Sequence, residues 1–198
     1  MMGYRPSVVV IAGPNGAGKT TVAPLLVRGV LGVTEFVNAD TIGHGLSAFN
    51  PQSAAVTAGR LMLKRVKELA DRHVSFAFET TLASRPFAPW PKNLTAGGYS
   101  LNMVFLWLPN ADFAVARVAD RVAFGGHDVP EEVVRRRYSR GMRNLFELCR
   151  PLPSTWRMYD TSREPPPRLL AAGRGSSVDQ IDEPDTWRQI EREIHGTS

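Results

Sequence analysis

Short apolar runs alternate along this chain with longer segments in which apolar residues recur every three or four positions. The runs at residues 7–12, 34–40, 74–78, 101–108 and 155–159 are rich in β-branched and aromatic side chains, and they predict five strands. Helical spacing predicts helices over residues 18 to 28–29, 51 to about 72, after residue 81, 110 to about 124, and from 130 onward. A short strand at 168–172 and a short helix at 185–194 follow the prolines at 165–167.

This alternation predicts a three-layer α/β fold with a five-stranded parallel sheet, because right-handed crossovers place the helices on both faces of such a sheet. The length of 198 residues predicts a single domain. We expect a core over 7–162, a lid over 117–143 and a C-terminal extension over 163–198. Ligands of parallel sheets bind at the carboxyl ends of the strands. The candidate chemistry is therefore sought directly after the first three strands.

The first strand is followed by the complete phosphate-loop pattern G-x-x-x-x-G-K-T, also called Walker A, at residues 13–20. Glycines let consecutive backbone N–H groups turn toward phosphate oxygens, and the start of the next helix adds its positive end. Lys19 is expected to reach the β- and γ-phosphates of ATP, and the Thr20 hydroxyl to ligate Mg²⁺. The predicted nucleotide-binding residues are Gly13, Pro14, Asn15, Gly16, Ala17, Gly18, Lys19, Thr20 and Thr21, with Arg117 from the lid.

Acidic and hydroxyl side chains follow the second and third strands. Asp40 is placed to orient an acceptor hydroxyl or take its proton, and the alternative is a turn or helix cap. Glu79 is placed to hold the water shell of Mg²⁺ or a substrate hydroxyl, and the alternative is again a cap. Thr80 and Thr81 are either substrate ligands or simple strand formers.

Arginines flank a glycine pair in the second half of the chain. Arg117 and Arg121 are four residues apart on one helix face, just before Gly125 and Gly126, and this arrangement suits a lid over a triphosphate. His127 is either a phosphate or substrate contact or a loop hydrogen-bonding residue. A second set, interpreted as a solvated helix face, comprises Arg136, Arg140 and Arg143.

Composition narrows the class of protein. The chain carries a net charge of +5 and 24 basic residues, yet it shows no interleaving of aromatic and basic residues, so a nucleic-acid surface is disfavoured against a phosphate clamp. The single cysteine, Cys149, excludes an internal disulfide and is predicted to be buried. No signal segment or apolar membrane span is evident, and a cytoplasmic protein is expected.

Four motifs in order resemble the zeta toxin family of P-loop kinases, and closest its small branch of predicted ATPases. They are residues 13–21, Phe-Val-Asn-Ala-Asp at 36–40, Phe-Glu-Thr-Thr at 78–81, and the arginine-to-proline segment at 117–130. The resemblance implies an ATP-dependent kinase that phosphorylates a hydroxyl of a small molecule, with a UDP-N-acetyl sugar as one candidate and an antitoxin protein as a candidate partner. It implies that Asp40 is the catalytic base, that Lys19 and Thr20 bind phosphates and Mg²⁺, that Glu79 faces the acceptor, and that Arg121 is the lid arginine.

The chain departs from the larger toxins of that family. It is shorter, and Gly126 and His127 stand where a second lid arginine is expected. A kinase for another hydroxyl compound, such as an antibiotic or nucleoside, is a second hypothesis. A non-kinase ATP-binding switch is a third.

Overall fold

A computed structural model describes residues 5–24, 33–50, 53–84, 89–163 and 166–196. Its first half contains β1 (Ser7–Ala12), α1 (Lys19–Pro24), β2 (Glu35–Val37), α2 (Ala39–Leu46), α3 (Ala55–Asp71), β3 (Phe76–Thr80) and α4 (Pro89–Ala96). Its second half contains β4 (Ser100–Trp107), α5 (Ala111–Ala123), α6 (Glu131–Asn144), a π-helical turn (Leu145–Cys149), β5 (Thr155–Asp160), β6 (Arg168–Arg174), β7 (Ser177–Ile181) and α7 (Pro184–His195). The predicted end of the first helix at 28–29 and the predicted start of the next at 51 lie outside the described residues.

The strands form one sheet in the order β2-β3-β1-β4-β5-β6-β7. The first five strands are parallel, which confirms the predicted parallel sheet. The predicted short strand at 168–172 is present as β6, and together with β7, which was not predicted, it continues the sheet as antiparallel strands beside β5. β1 is central, so that the segment after it emerges between the ends of β3 and β4.

Helices cover both faces of the sheet, as the three-layer prediction requires. Val8 and Val10 of β1 point to the face covered by α3, α4, α7 and the end of α6, whereas Val9 and Ile11 point to the opposite face. On that opposite face α5 packs against β4 through Ala114 and Val118. Within the described residues, no helix is long and apolar enough to cross a membrane.

Two predicted strands have different bounds in the structure. The predicted strand 34–40 ends at Val37, because the Asn38 side chain caps a new helix, α2. The predicted strand 74–78 begins two residues later, since His73 has a left-handed φ of 53°, and it extends through Glu79 and Thr80. β7 has mostly exposed residues and lacks the apolar pattern that would have predicted it.

The C-terminal segment packs against the sheet through stacked aromatic rings. Trp187 of α7 stacks on Trp156 of β5 with ring centroids 5.9 Å apart. The Arg150 guanidinium lies 5.1 Å from the Trp156 ring centroid and 5.3 Å from that of Trp187. Cys149, which precedes Arg150 in the chain, is buried as predicted, and burial raises the pKa of its thiol to about 11.

Candidate active site

The loop between β1 and α1 has the tight geometry of a phosphate-binding loop. Gly13, Gly16 and Gly18 all have positive φ angles, of 147°, 81° and 78°. A Cβ on Gly13 would lie 2.4 Å from the Leu106 backbone oxygen, and a Cβ on Gly16 would lie 2.8 Å from Cβ of Arg117. The loop is therefore wedged between β4 and α5, where larger residues do not fit.

Lys19 is held inside this loop. Its side chain is 6% exposed, and Nζ donates a hydrogen bond to the Pro14 carbonyl oxygen at 2.8 Å. The same Nζ lies 3.9 Å from Oε1 of Glu79. Burial lowers the pKa of Lys19, while the charges of Glu79 and Asp40 oppose that shift. The ammonium group is thus fixed at the mouth of the loop before any nucleotide arrives.

Glu79 connects the first three strand ends. It pairs in register with Ile11 of β1, which brings its carboxylate beside the loop. Oε2 accepts hydrogen bonds from the Thr20 hydroxyl at 3.1 Å and from the Asn38 amide nitrogen at 2.8 Å. Burial raises the pKa of Glu79, and the charge of Lys19 and the Thr20 hydrogen bond oppose that shift.

Asp40 lies in the first turn of α2. The residue that caps the start of this helix is Asn38, not Asp40. Oδ1 of Asn38 accepts hydrogen bonds from the backbone N–H groups of Asp40 at 2.7 Å and Thr41 at 3.2 Å. Asp40 itself is exposed, and it lines the cavities of the site. The alternative interpretation of Asp40, as a helix cap, is therefore wrong.

Three adjoining cavities surround these residues. The loop cavity, of about 320 Å³, is lined by the phosphate loop, Thr20, Thr21, Glu79 and the α5 face with Arg117, Asp120, Arg121 and Phe124. The central cavity, of about 160 Å³, is lined by Asn15, Lys19, Asn38, Met62, Glu79, Thr80, Thr81 and Arg137. The outer cavity, of about 300 Å³, is lined by Gly43, Ala55, His127, Val129, Pro130, Val133, Arg136 and Arg137. Asp40 lines all three, so its carboxylate lies where they meet.

The two predicted lid arginines line the loop cavity, each with a backbone partner. Arg117 donates to the Thr161 carbonyl oxygen at 2.6 Å, and its guanidinium lies 5.5 Å from the Phe113 ring centroid. Arg121 donates through Nη2 to the His127 carbonyl oxygen. Its Nε is buried and has no hydrogen-bond partner among the described residues.

His127 and the two threonines lie at the other cavities. The His127 ring faces the outer cavity and makes an edge contact with His44, with ring centroids 5.4 Å apart. Burial lowers the pKa of His127. The Thr80 hydroxyl accepts a hydrogen bond from the Leu82 N–H at 3.0 Å, whereas Thr81 lines the central cavity. Thr80 thus shapes the turn after β3 as well as lining that cavity.

Residues of the site fit a Mg²⁺ ion that is bound together with phosphates. The Thr20 hydroxyl and the Glu79 carboxylate are neighbours, and such hard oxygen ligands suit Mg²⁺. Within the described ranges no group of three or more His, Cys, Asp or Glu side chains could hold a metal by itself. Mg²⁺ in nucleotide sites keeps waters and phosphate oxygens as ligands, and it needs only one or two from the protein. Asn15 adds a buried Oδ1 without a hydrogen-bond partner among the described residues, and it lines the same cavity.

Two residues of the site escaped prediction from the sequence. Asn38 was noted only as part of a motif, although it caps α2 and binds Glu79. Arg137 was not singled out, although it lines both the central and the outer cavity. The sequence feature that could have indicated Arg137 is its spacing from Gly141 and Asn144, which follow four and seven residues later. This spacing places the three residues on one face of α6, and that face is buried at Gly141 and Asn144.

The phosphate loop between a central strand and a helix, in a mainly parallel sheet, defines a P-loop fold of the kinase type. Structural neighbours confirm the resemblance to zeta-toxin-like kinases at the level of the fold. A chain of the PezAT toxin–antitoxin system of Streptococcus pneumoniae superposes with a TM-score of 0.63 and 14% identity over 99% of this chain and 88% of that one. A chain of the AvrRxo1-ORF1:AvrRxo1-ORF2 complex with ATP gives a TM-score of 0.71 and 15% identity over 95% of this chain, which spans 64% of that one.

Sugar kinases share the fold as well. A gluconokinase from Sinorhizobium meliloti superposes with a TM-score of 0.53 and 12% identity over 98% of this chain and 97% of that one. In sequence, an uncharacterized protein of Haemophilus influenzae is 26% identical over 130 residues, which is 66% of this chain and 91% of that protein. No protein-family model matches the chain.

Proposed function

We propose that this protein is an ATP-dependent kinase that transfers the γ-phosphate to a hydroxyl group of a small molecule. The observation that carries the proposal is the position of Asp40 at the junction of the loop, central and outer cavities. A carboxylate between a triphosphate site and a second cavity can orient a hydroxyl toward the γ-phosphate. The structural similarity to proteins described as a toxin–antitoxin system and a gluconokinase supports the same class.

The donor fills the loop cavity in this proposal. Backbone N–H groups of residues 15–18 and the Lys19 ammonium bind the β- and γ-phosphates, and Thr20 and Glu79 hold Mg²⁺. The ion, when bound, neutralises charge that builds up on the phosphate oxygens. Arg117 and Arg121 face the triphosphate from the lid side, and closure of this segment excludes water that would hydrolyse ATP.

The acceptor fills the outer cavity, with its hydroxyl beside Asp40. The hydroxyl oxygen forms a bond to the γ-phosphorus, and the bond from that phosphorus to the β–γ bridging oxygen breaks. ADP leaves with the electron pair, and the hydroxyl proton passes to the Asp40 carboxylate. His127, Thr81 and Glu79 are the proposed contacts of the acceptor on either side of Asp40.

For the acceptor we propose a nucleotide sugar, and an N-acetyl sugar linked to UDP is the first candidate. The support is the motif resemblance together with the structural similarity to a toxin–antitoxin protein. An antitoxin protein is accordingly a proposed partner.

Transfer of ³²P from γ-labelled ATP to a panel of nucleotide sugars, nucleosides and sugars tests the function. We expect one class of acceptor to become labelled in the presence of Mg²⁺, and we expect Asp40→Asn to bind ATP normally while losing transfer by a factor on the order of 10²–10⁴. Asp71→Asn, at an exposed position on α3 away from the site, is the matched control. ATP binding without labelling of any acceptor would instead favour the ATP-binding switch. Comparable turnover in Asp40→Asn would remove Asp40 as the base.

A further inference from the structure

Arg137 is the one arginine of α6 whose side chain lines both the central and the outer cavity. In the central cavity it faces Lys19 and Asp40 at the ends of the phosphate loop and β2. It is also close enough to Lys19 for its positive charge to lower the pKa of that ammonium group. Two cations, Lys19 and Arg137, and two carboxylates, Asp40 and Glu79, thus surround a space of about 160 Å³.

Among the described residues, the Arg137 guanidinium makes no hydrogen bond or ion pair, unlike those of Arg117, Arg121 and Arg135. Arg117 and Arg121 donate to backbone carbonyls, and Arg135 forms ion pairs with Asp112 and Glu131. Arg137 forms no hydrogen bond or ion pair in the part of the chain that the structure describes. It is half-buried, and burial lowers its pKa while the charge of Asp40 opposes that shift. Removing a cation from water without a partner is unfavourable, and an anion in the central cavity would compensate for it.

Packing of α6 fixes the position of Arg137. Gly141, one turn later on the same face, lets the helix approach so closely that a Cβ there would lie 2.4 Å from the Thr81 carbonyl oxygen. Asn144 donates to the Leu82 carbonyl oxygen at 2.6 Å, and the Tyr138 hydroxyl donates to the Leu108 carbonyl oxygen at 2.9 Å. These contacts hold the part of α6 that carries Arg137 against the ends of β3 and β4, although the predicted lid over 117–143 includes it.

We propose that Arg137 is a further catalytic residue, whose guanidinium contacts the phosphoryl group as it passes from ATP to the acceptor oxygen. The inference rests on the proposed kinase function and uses the same balanced transfer step. Lys19 and Arg137 bind the equatorial oxygens of that group from opposite sides, while Asp40 takes the acceptor proton. The Arg137 guanidinium thus places positive charge beside the phosphate oxygens, on which negative charge develops during transfer. It would supply the charge of the second lid arginine, whose expected position is occupied by Gly126 and His127.

Nucleotide affinity gives a test that needs no acceptor. By calorimetry with Mg²⁺, the wild-type protein should bind ATP, and ADP with aluminium fluoride, more tightly than ADP alone. Arg137→Ala should weaken the first two by about 10- to 100-fold, because each loses a charge-assisted hydrogen bond, and should leave ADP within about twofold. Arg140→Ala, an exposed arginine on the same helix, is the matched control and should match the wild type.

Transfer assays complete the test. Arg137→Ala should lower kcat by roughly 10³-fold and raise the KM for ATP in step with the weaker ATP binding, because KM approaches the dissociation constant when chemistry is slow. Added guanidinium should restore part of the rate. Arg137→Lys should retain more activity than Arg137→Ala, since it keeps the charge but not the planar fork. Rescue by guanidinium separates a chemical role from a structural one, and thermal melting checks the fold of each variant.

The outcomes distinguish the two proposals. An Arg137→Ala variant that keeps its preference for ATP over ADP, or keeps the wild-type rate, overturns the role of Arg137 and leaves the kinase intact. A wild type whose ATP preference depends on Arg137, yet which phosphorylates nothing in the panel, overturns the kinase function and leaves Arg137 at the γ-phosphate.

Discussion

Asn38 hydrogen-bonds Glu79 between the ends of two neighbouring strands. Its Nδ2 donates to Oε2 of Glu79 at 2.8 Å, while its Oδ1 caps the helix that carries Asp40. One amide therefore fixes both the proposed Mg²⁺ carboxylate and the proposed base.

The two functions of Asn38 can be separated by substitution. Asn38→Ala should lower the free energy of unfolding by about 1 kcal/mol more than Asn38→Ser, because serine still caps a helix. Both variants lose the amide hydrogen bond to Glu79 and should lose transfer activity by a similar factor of roughly 10-fold or more. Urea unfolding and the ³²P assay measure the two effects. Full transfer by Asn38→Ser would show that the amide bond to Glu79 is dispensable.

Gly141 should be intolerant of a methyl group. Because a Cβ would lie 2.4 Å from the Thr81 carbonyl oxygen, Gly141→Ala should force α6 outward, destabilise the fold by about 1–3 kcal/mol and reduce transfer. Gly59→Ala is the matched control, since Gly59 is also helical but a Cβ added there would meet no atom within 4 Å. That control should stabilise the protein by up to about 1 kcal/mol and leave transfer unchanged. Equal melting temperatures for the two alanine variants would contradict the close packing of α6 on Thr81.

His127 should titrate below its ordinary value of 6.5, since burial lowers the pKa of its imidazole. Asp40 and Asp128 favour the protonated form, whereas Arg121 and His44 disfavour it. The folded state therefore binds fewer protons than the unfolded chain in this range. Stability contributed by neutral His127 should be fully present above pH 6.5 and should be lost as the pH falls through the lowered pKa.

Titration of the ring by NMR and urea unfolding between about pH 5 and 8 measure this linkage, with His127→Gln as the reference. The difference in stability between wild type and His127→Gln should shrink as the pH falls. A ring that titrates at or above 6.5 would contradict the burial of His127 against α2.

The elements that would bind ATP were predictable, because each is indicated by a pattern of residues that are close together in the sequence. The apolar run at residues 7–12 predicted β1, and the loop pattern predicted its turn and the start of α1. A helix was predicted from residue 110, and Asn110 caps α5 there. These features depend on residues close together in sequence, where propensity and pattern apply directly.

Features that depend on tertiary packing were missed. Strand β2 ends and α2 begins within two residues, so that a polar strand end and a helix cap look alike in the sequence. Arginines occupy positions 135, 136 and 137 in succession, and only the packing of α6 shows that Arg137 faces the cavities while Arg135 pairs on the surface. β7 is an exposed edge strand that depends on pairing with β6. No local signal decides such cases.

The stacked pair of Trp156 and Trp187 gives the protein an intrinsic optical reporter. Their rings belong to β5 and α7, and the Arg150 cation lies within 5.3 Å of both ring centroids. Tryptophan emission depends on stacking and on nearby charge, so separation of the C-terminal helix from the sheet should change fluorescence without any added label. Because neither tryptophan lines the three cavities, that signal can follow docking of the C-terminus independently of nucleotide occupancy.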